Sequence, residues 1–285
     1  MYELYMRVGY IDGTSDIFDV AEDDCELALP AIDKDPEMVE WVVIPEGVRC
    51  ICDSGFKSLC NLNDVSLPNS LNRIGQEAFA HTALKSITIP DNVTNISHSA
   101  FSYCPNLKDV YIGRGITKLS SCLFKESGIK EINIPFNIKN IEEGCFSGCR
   151  NLEHIEFPGY IRTINGFMFY ECTNLKSFTI PRKCKRIEEY AFAKCINLTD
   201  VKIPNKCVYI GQSAFAECDS LSDIVIPNNI KTLGEYSFYN CRNLNTFSVL
   251  GENADFGAGV LVECNSLKMV NIAGGIIENM HIFEG

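Results

Sequence analysis

Fifteen cysteines in 285 residues are the feature of this sequence that most invites chemistry. Thiolates bind zinc, pair as disulfides or act as nucleophiles, and each role has spacing requirements. Cys50 and Cys52 are separated by one residue, not by the two of a zinc or redox motif. A nucleophile also needs a positioned base, yet His81, His98, His154 and His281 share no recurring acid or cysteine neighbour. No phosphate-binding glycine loop and no GxSxG turn occurs. The carboxylate pairs Glu142–Glu143 and Glu188–Glu189 recur at one corner of a repeat, which makes them a solvated face rather than an acid/base couple. The sequence therefore predicts no enzyme, no cofactor and no metal site.

What the cysteines do follow is a period. Apolar-x-apolar-Pro and its variants start at Val42, Val65, Ile87, Val110, Ile132, Ile155, Phe178, Val201, Ile224, Phe247 and Val270, spaced 22 or 23 residues apart. A fixed period of this length marks a solenoid, in which each turn buries its apolar face against its neighbours. Positions one and three alternate with a polar residue, the pattern of a strand buried on one face. Stacked at roughly 4.8 Å, such strands make a parallel sheet. Proline at position four, as in Pro90 and Pro227, ends pairing and turns the chain away. Positions seven and ten point inward again, and position fifteen is Phe in nine consecutive copies, Phe56 to Phe238. A short helical or 3-10 turn is expected around that ring.

Position eighteen is Cys in seven copies: Cys104, Cys149, Cys172, Cys195, Cys218, Cys241 and Cys264. Stacked cysteines would have Cα atoms roughly 5 Å apart, within disulfide range, but their parallel side chains hold the Cβ atoms too far apart. The expectation is a column of small buried filler, still reduced. Cys184 and Cys207 replace the aliphatic residue of position seven, again a core place. Asn106, Asn151, Asn174, Asn197 and Asn243 follow two residues after the cysteine and are expected to point inward, satisfying backbone of the next turn. The 22-residue copies from Val65 and Val110 lack the cysteine and read HTALKS and ESGIKE at that corner.

The consensus IPxxVxxIGxxAFxxCxxL resembles the BspA-like, or Treponema-type, leucine-rich repeats over about 240 residues. That resemblance implies a right-handed leucine-rich-repeat solenoid, mainly β, with a parallel sheet along one side. It also implies adhesin or protein-binding roles, since many members are surface proteins of bacteria and parasitic protists.

Residues 1–41 stand outside the repeat and read as an acidic N-terminal cap, with a hairpin turning at Asp12-Gly13; the alternative is a docking site for a basic partner. They hold twelve acids against Arg7 and Lys34, a balance of −10 out of −12 for the chain. LALP at Leu27–Pro30 resembles the strand and proline of a repeat. The array, residues 42–285, is thus nearly neutral and has no basic stripe for nucleic acid or an anionic membrane. At its degenerate C-terminal end, Ile272, Ile276, Ile282 and Phe283 would expose an apolar edge unless Met280–Gly285 folds over it or a second copy covers it. A monomer or an end-to-end homodimer is expected. MYELYMRVGY is not a secretory leader, and with reduced cysteines this predicts a cytoplasmic protein; the alternative is the cell surface, with a leader removed. Glycosylation sequons stand at Asn92, Asn95 and Asn197, the last in the column expected to be buried.

Function must then lie on the surface. The outward strand position varies from coil to coil, and aromatics are favoured interface anchors. Tyr111, Phe136, His154, Glu156 and Tyr160 are the candidate protein-contact patch, with Phe167, Tyr190 and Tyr236 as further aromatics sharing position thirteen. The expected function is a non-catalytic protein–protein interaction scaffold. A surface adhesin is the alternative, and the partner is a protein.

Overall fold

The computed structural model describes residues 4–20 and 27–273, as a β-solenoid of about ten turns of 22–23 residues. Its residues fall into two compact units, Met1–Asn140 and Ile141–Gly285. The expected cap at Met280–Gly285, the apolar Ile276, Ile282 and Phe283, His281 and Cys25 lie outside the described residues.

The first unit opens with the expected hairpin. Strand β1 (Leu4–Tyr10) pairs antiparallel with β2 (Ser15–Val20). The turn places Gly13 at φ 82, and the Tyr10 N–H donates to Thr14 O at 3.0 Å. This is a type I turn with a left-handed glycine, one of the common hairpin closures. On its other edge β1 pairs antiparallel with β3 (Val39–Val43), which belongs to the first repeat and runs parallel to β5 (Asp64–Ser66). A second, narrower row starts at β4 (Cys50–Ile51) and continues through Arg73–Ile74 and Asn95–Ile96. Leu27 joins this second row beside Ile51, with N–H···O bonds of 2.9 Å to Cys50 O and from Cys52 N. LALP therefore extends the row of position ten, not the row that its proline suggests.

In the second unit the narrow row has five parallel strands, Thr163–Ile164, Arg186–Ile187, Tyr209–Ile210, Thr232–Leu233 and Asp255–Phe256. The wider row includes Asp223–Ile226, Thr246–Val249 and Met269–Ile272 in register 23 residues apart. Alternation decides the faces: Ile224 and Ile226 are buried, while Val225 between them is exposed.

The third side of each turn differs from expectation. The described residues contain one 3-10 helix, Pro36–Met38, outside the phenylalanine arc. In the arc itself, positions thirteen and seventeen are left-handed in every coil, as at Phe167 (φ 53) and Glu171 (φ 58). Those two residues break helical continuity and redirect alternate N–H groups along the stack. Phe167, Phe169 and Glu171 donate to Glu189, Ala191 and Ala193 of the next coil at 2.8–3.0 Å. Met168, Tyr170 and Cys172 instead close single turns on the carbonyl three residues back. The arc is a third inter-coil ladder, and it satisfies backbone groups that a buried loop would leave orphaned.

The phenylalanines of position fifteen are fully buried and stacked. Centroids lie 5.3 Å apart for Phe56–Phe79 in the first unit and 5.0 Å for Phe192–Phe215 in the second. Each buried ring contributes about 1.5–3 kcal/mol, so this column is a main source of cohesion between coils.

Candidate interaction surface

The column cysteines form hydrogen bonds along the stack. Cys172, Cys195, Cys218, Cys241 and Cys264 each donate Sγ–H to the carbonyl of the phenylalanine 26 residues earlier, at 3.1–3.2 Å. Cys104 makes the equivalent bond to Phe79 O, 25 residues earlier across a 22-residue coil, at 3.2 Å. None of the fourteen described cysteines is in a disulfide. Burial holds Cys195, Cys218 and Cys241 well above the ordinary thiol range, with Cys184 at about 11 and Cys207 at about 12. These thiols stay protonated at neutral pH, the state a donor needs and a nucleophile or ligand does not. The two short coils place hydroxyls at the same position: Thr82 donates to Phe79 O of its own coil at 2.9 Å, and Ser127 is equally buried. Sequence reasoning read only a missing cysteine there; the hydroxyl was the available signal for a donor column.

The asparagine column is displaced from its expected place. Asn106, Asn151, Asn174, Asn197 and Asn243 are exposed rather than inward. They lie one residue before the buried Leu of each corner and so face outward. Asn197 and Asn243 still make a ladder: their amides donate to Thr173 O and Asp219 O at 2.7 and 2.8 Å, to the preceding coil. The sequon at Asn197 is accordingly at the surface.

Elsewhere polar side chains pair locally. Glu188 receives both Nε and Nη2 of Arg186, at 2.6 and 3.2 Å, and that guanidinium lies 3.8 Å over the Tyr209 ring. No group of three or more His, Cys, Asp or Glu among the described residues could hold a metal ion. No helix of the described residues is long and apolar enough to cross a membrane.

The candidate patch residues are all at the surface. Tyr111, 52% exposed, ends the strand Asp109–Tyr111, and Phe136, 81% exposed, follows Pro135 in a turn; both belong to the first unit. The second unit holds His154, Glu156 and Tyr160. His154 Nε2 and Glu156 Oε1 lie 3.6 Å apart on the outward face of one strand, and Tyr160 is 37% exposed in the turn that follows. Phe167, Tyr190 and Tyr236 are half-buried. Phe167 stacks on Tyr190 with centroids 4.8 Å apart, and Tyr236 covers Gly259, so these rings mainly shield the coil edge.

Two further apolar surfaces lie outside the candidate patch. Val225 and Leu250 are exposed beside a groove of about 300 Å³ that Asp200 and Asp223 flank. In the hairpin, Ile17 and Tyr5 are exposed. Val225 occupies the outward position two of its repeat, whereas the hairpin strand of Ile17 stands outside the repeat register.

A solenoid of stacked strands, phenylalanine rings and asparagine-bearing corners defines a leucine-rich-repeat protein. The family model of the BspA type leucine rich repeat region matches residues 36–153 and 139–268, and the chain belongs to that family. A leucine-rich repeat protein from Bacteroides ovatus shares its fold at TM-score 0.77 and 27% identity, over 95% of this chain and 70% of that one. The pneumococcal vaccine antigen PcpA is similar at TM-score 0.65 and 22% identity, over 90% and 68%. A leucine rich cell surface protein from Faecalibacterium prausnitzii aligns at TM-score 0.53 and 20% identity, over 99% and 96%. A search of the curated proteins finds no match.

Proposed function

We propose that this chain is a non-catalytic protein-binding scaffold that reads its partner through outward strand positions and the turns that follow them. The observation that carries this reading is Phe136: a large ring left 81% exposed in the turn that follows Pro135. Burying such a ring is worth about 1.5–3 kcal/mol to an interface. Tyr111 and Phe136 in the first unit, and His154, Glu156 and Tyr160 in the second, are the residues proposed to make contacts. The acidic residues 1–41 serve as the cap of the array 42–285, because β1 pairs the open edge of β3.

Photo-crosslinking tests the reading. With benzoylphenylalanine at Phe136 or at Tyr160, one protein of the source cell should be captured from both positions and not from Arg182. Capture from none, or equal capture from all three, contradicts it.

The alternative is a surface adhesin. It is supported by the cell-surface description of the Faecalibacterium relative and by the antigen description of PcpA. The comparisons offer no support for the cytoplasmic expectation. Cell fractionation separates the two locations. An end-to-end homodimer remains part of the proposal, because Val270 and Ile272 of the last described strand are only half-buried where Ile224 and Ile226 are fully so. Light scattering should show a mass that rises with concentration.

A further inference from the structure

The first unit carries an open β-edge at strand β2. Among the described residues β2 pairs only with β1, so its other side is the end of a four-stranded sheet. Hydrogen-bond parity fixes which groups face outward. Tyr10 N donates to Thr14 O, so the bonded pairs run Tyr10–Thr14, Val8–Asp16, Met6–Phe18 and Leu4–Val20. The N–H and C=O groups of Ser15, Ile17 and Asp19 therefore point away from β1. The same alternation leaves Arg7 and Gly9 facing β3, which matches the observed register Arg7–Val43 and Gly9–Trp41.

The side chains on the exposed face of this edge are also unusual. Ile17 is 64% exposed, beside exposed Tyr5 and Arg7, and Arg7 lies over Trp41 at 5.8 Å. Proteins usually blunt such an edge with proline, a bulge or charge, above all lysine; β2 has no proline, lysine or bulge. It carries acids instead: Asp16 and Asp19 in the strand, within a segment whose balance is −10. That charge argues against a second copy as occupant, since pairing two β2 edges would bring two acidic hairpins together. It favours a strand of opposite sign.

We propose that β2 is a docking edge for an extended basic segment of a partner protein, which adds as a fifth strand by main-chain hydrogen bonds. An apolar partner side chain packs on Ile17, and a lysine or arginine faces Asp19. This surface is separate from Phe136 and Tyr160, so crosslinking there can succeed or fail without bearing on it.

The test uses the full chain and the nine-residue peptide Thr-Val-Thr-Lys-Thr-Val-Thr-Lys-Thr, which presents valine and lysine on one face as Ile17 and Asp19 require, with glutamate in place of lysine as control. Titration should show binding by the lysine peptide alone, weakening steeply with salt. Hydrogen exchange should slow at the amides of Ser15, Ile17 and Asp19. Ile17→Pro, which removes one outward N–H at an edge that tolerates proline, should weaken binding at least tenfold. Asp19→Lys, at an exposed position, should weaken it at least threefold with the circular dichroism unchanged. No binding by the lysine peptide, equal binding by both peptides, or no effect of either variant overturns the proposal. Slowed exchange at those amides on raising protein concentration without peptide also overturns it, and assigns the edge to a second copy.

Discussion

Cys218 donates its thiol hydrogen to the carbonyl of Phe192, 26 residues earlier, at 3.2 Å. The same carbonyl accepts the N–H of Cys195 within its own coil at 3.1 Å. One oxygen thus closes a turn and ties two coils, and the pattern recurs along the second unit. It explains why a residue with both apolar bulk and a donor occupies position eighteen. Cys218→Ala should cost about 1–3 kcal/mol, from lost volume and a lost buried donor. Cys218→Ser should cost less than Cys218→Ala, because a hydroxyl keeps a donor near the Phe192 carbonyl. Urea unfolding of the two variants measures the order; alanine as stable as the parent would contradict the donor role.

Alkaline pH should destabilise the fold. Cys184 at about 11 and Cys207 at about 12 stand above the ordinary thiol value of 9.0. The unfolded chain releases these protons first, so stability is fully present below pH 9 and falls as pH rises toward 12. The urea midpoint should drop between pH 8 and pH 10.5. It should drop less in the double variant Cys184→Val, Cys207→Val, where position seven regains an aliphatic such as Val93. Equal slopes would contradict burial of the thiols.

Left-handed backbone at Glu217, φ 59, costs about 1–2 kcal/mol for a residue with a Cβ. Glu217→Gly should therefore stabilise by about 0.5–1 kcal/mol, after the glycine's entropic cost is deducted. Glu217→Ile should destabilise by about 1–2 kcal/mol. Thermal melts of both variants check the sign; a helical arc would give the opposite result for glycine.

Trp41 lies flat on Gly9, where an added Cβ would come within 1.9 Å of the indole. Gly9→Val should displace the ring and shift the emission of the chain's one tryptophan to longer wavelength. Unchanged emission would mean that the hairpin does not dock on β3 as described.

Period-two alternation and proline placed the strands, and the interval of the phenylalanines placed the core column, because each coil solves the same packing problem. The arc was not legible. Left-handed φ at Phe167 or Tyr190 leaves no mark in residue type, as serine, glutamate, tyrosine and glycine all occupy those places. The asparagine direction was misread for a related reason: Asn197 bonds to backbone as expected, but from the surface side. Exposure at Phe136, Tyr111 and the outward position of Val225 was legible from the repeat, whereas Ile17 lies in a hairpin outside the repeat register.

Thiol titration with a chromogenic disulfide, without reductant, tests whether the cysteines are buried donors rather than chemistry. In the native protein exposed Cys60 should react promptly and the column from Cys104 to Cys264 slowly or not at all. After denaturation fifteen thiols should be counted. A count of thirteen or fewer would mean that at least one pair is bridged, and a column that reacts promptly in the folded state would mean that it is not the core.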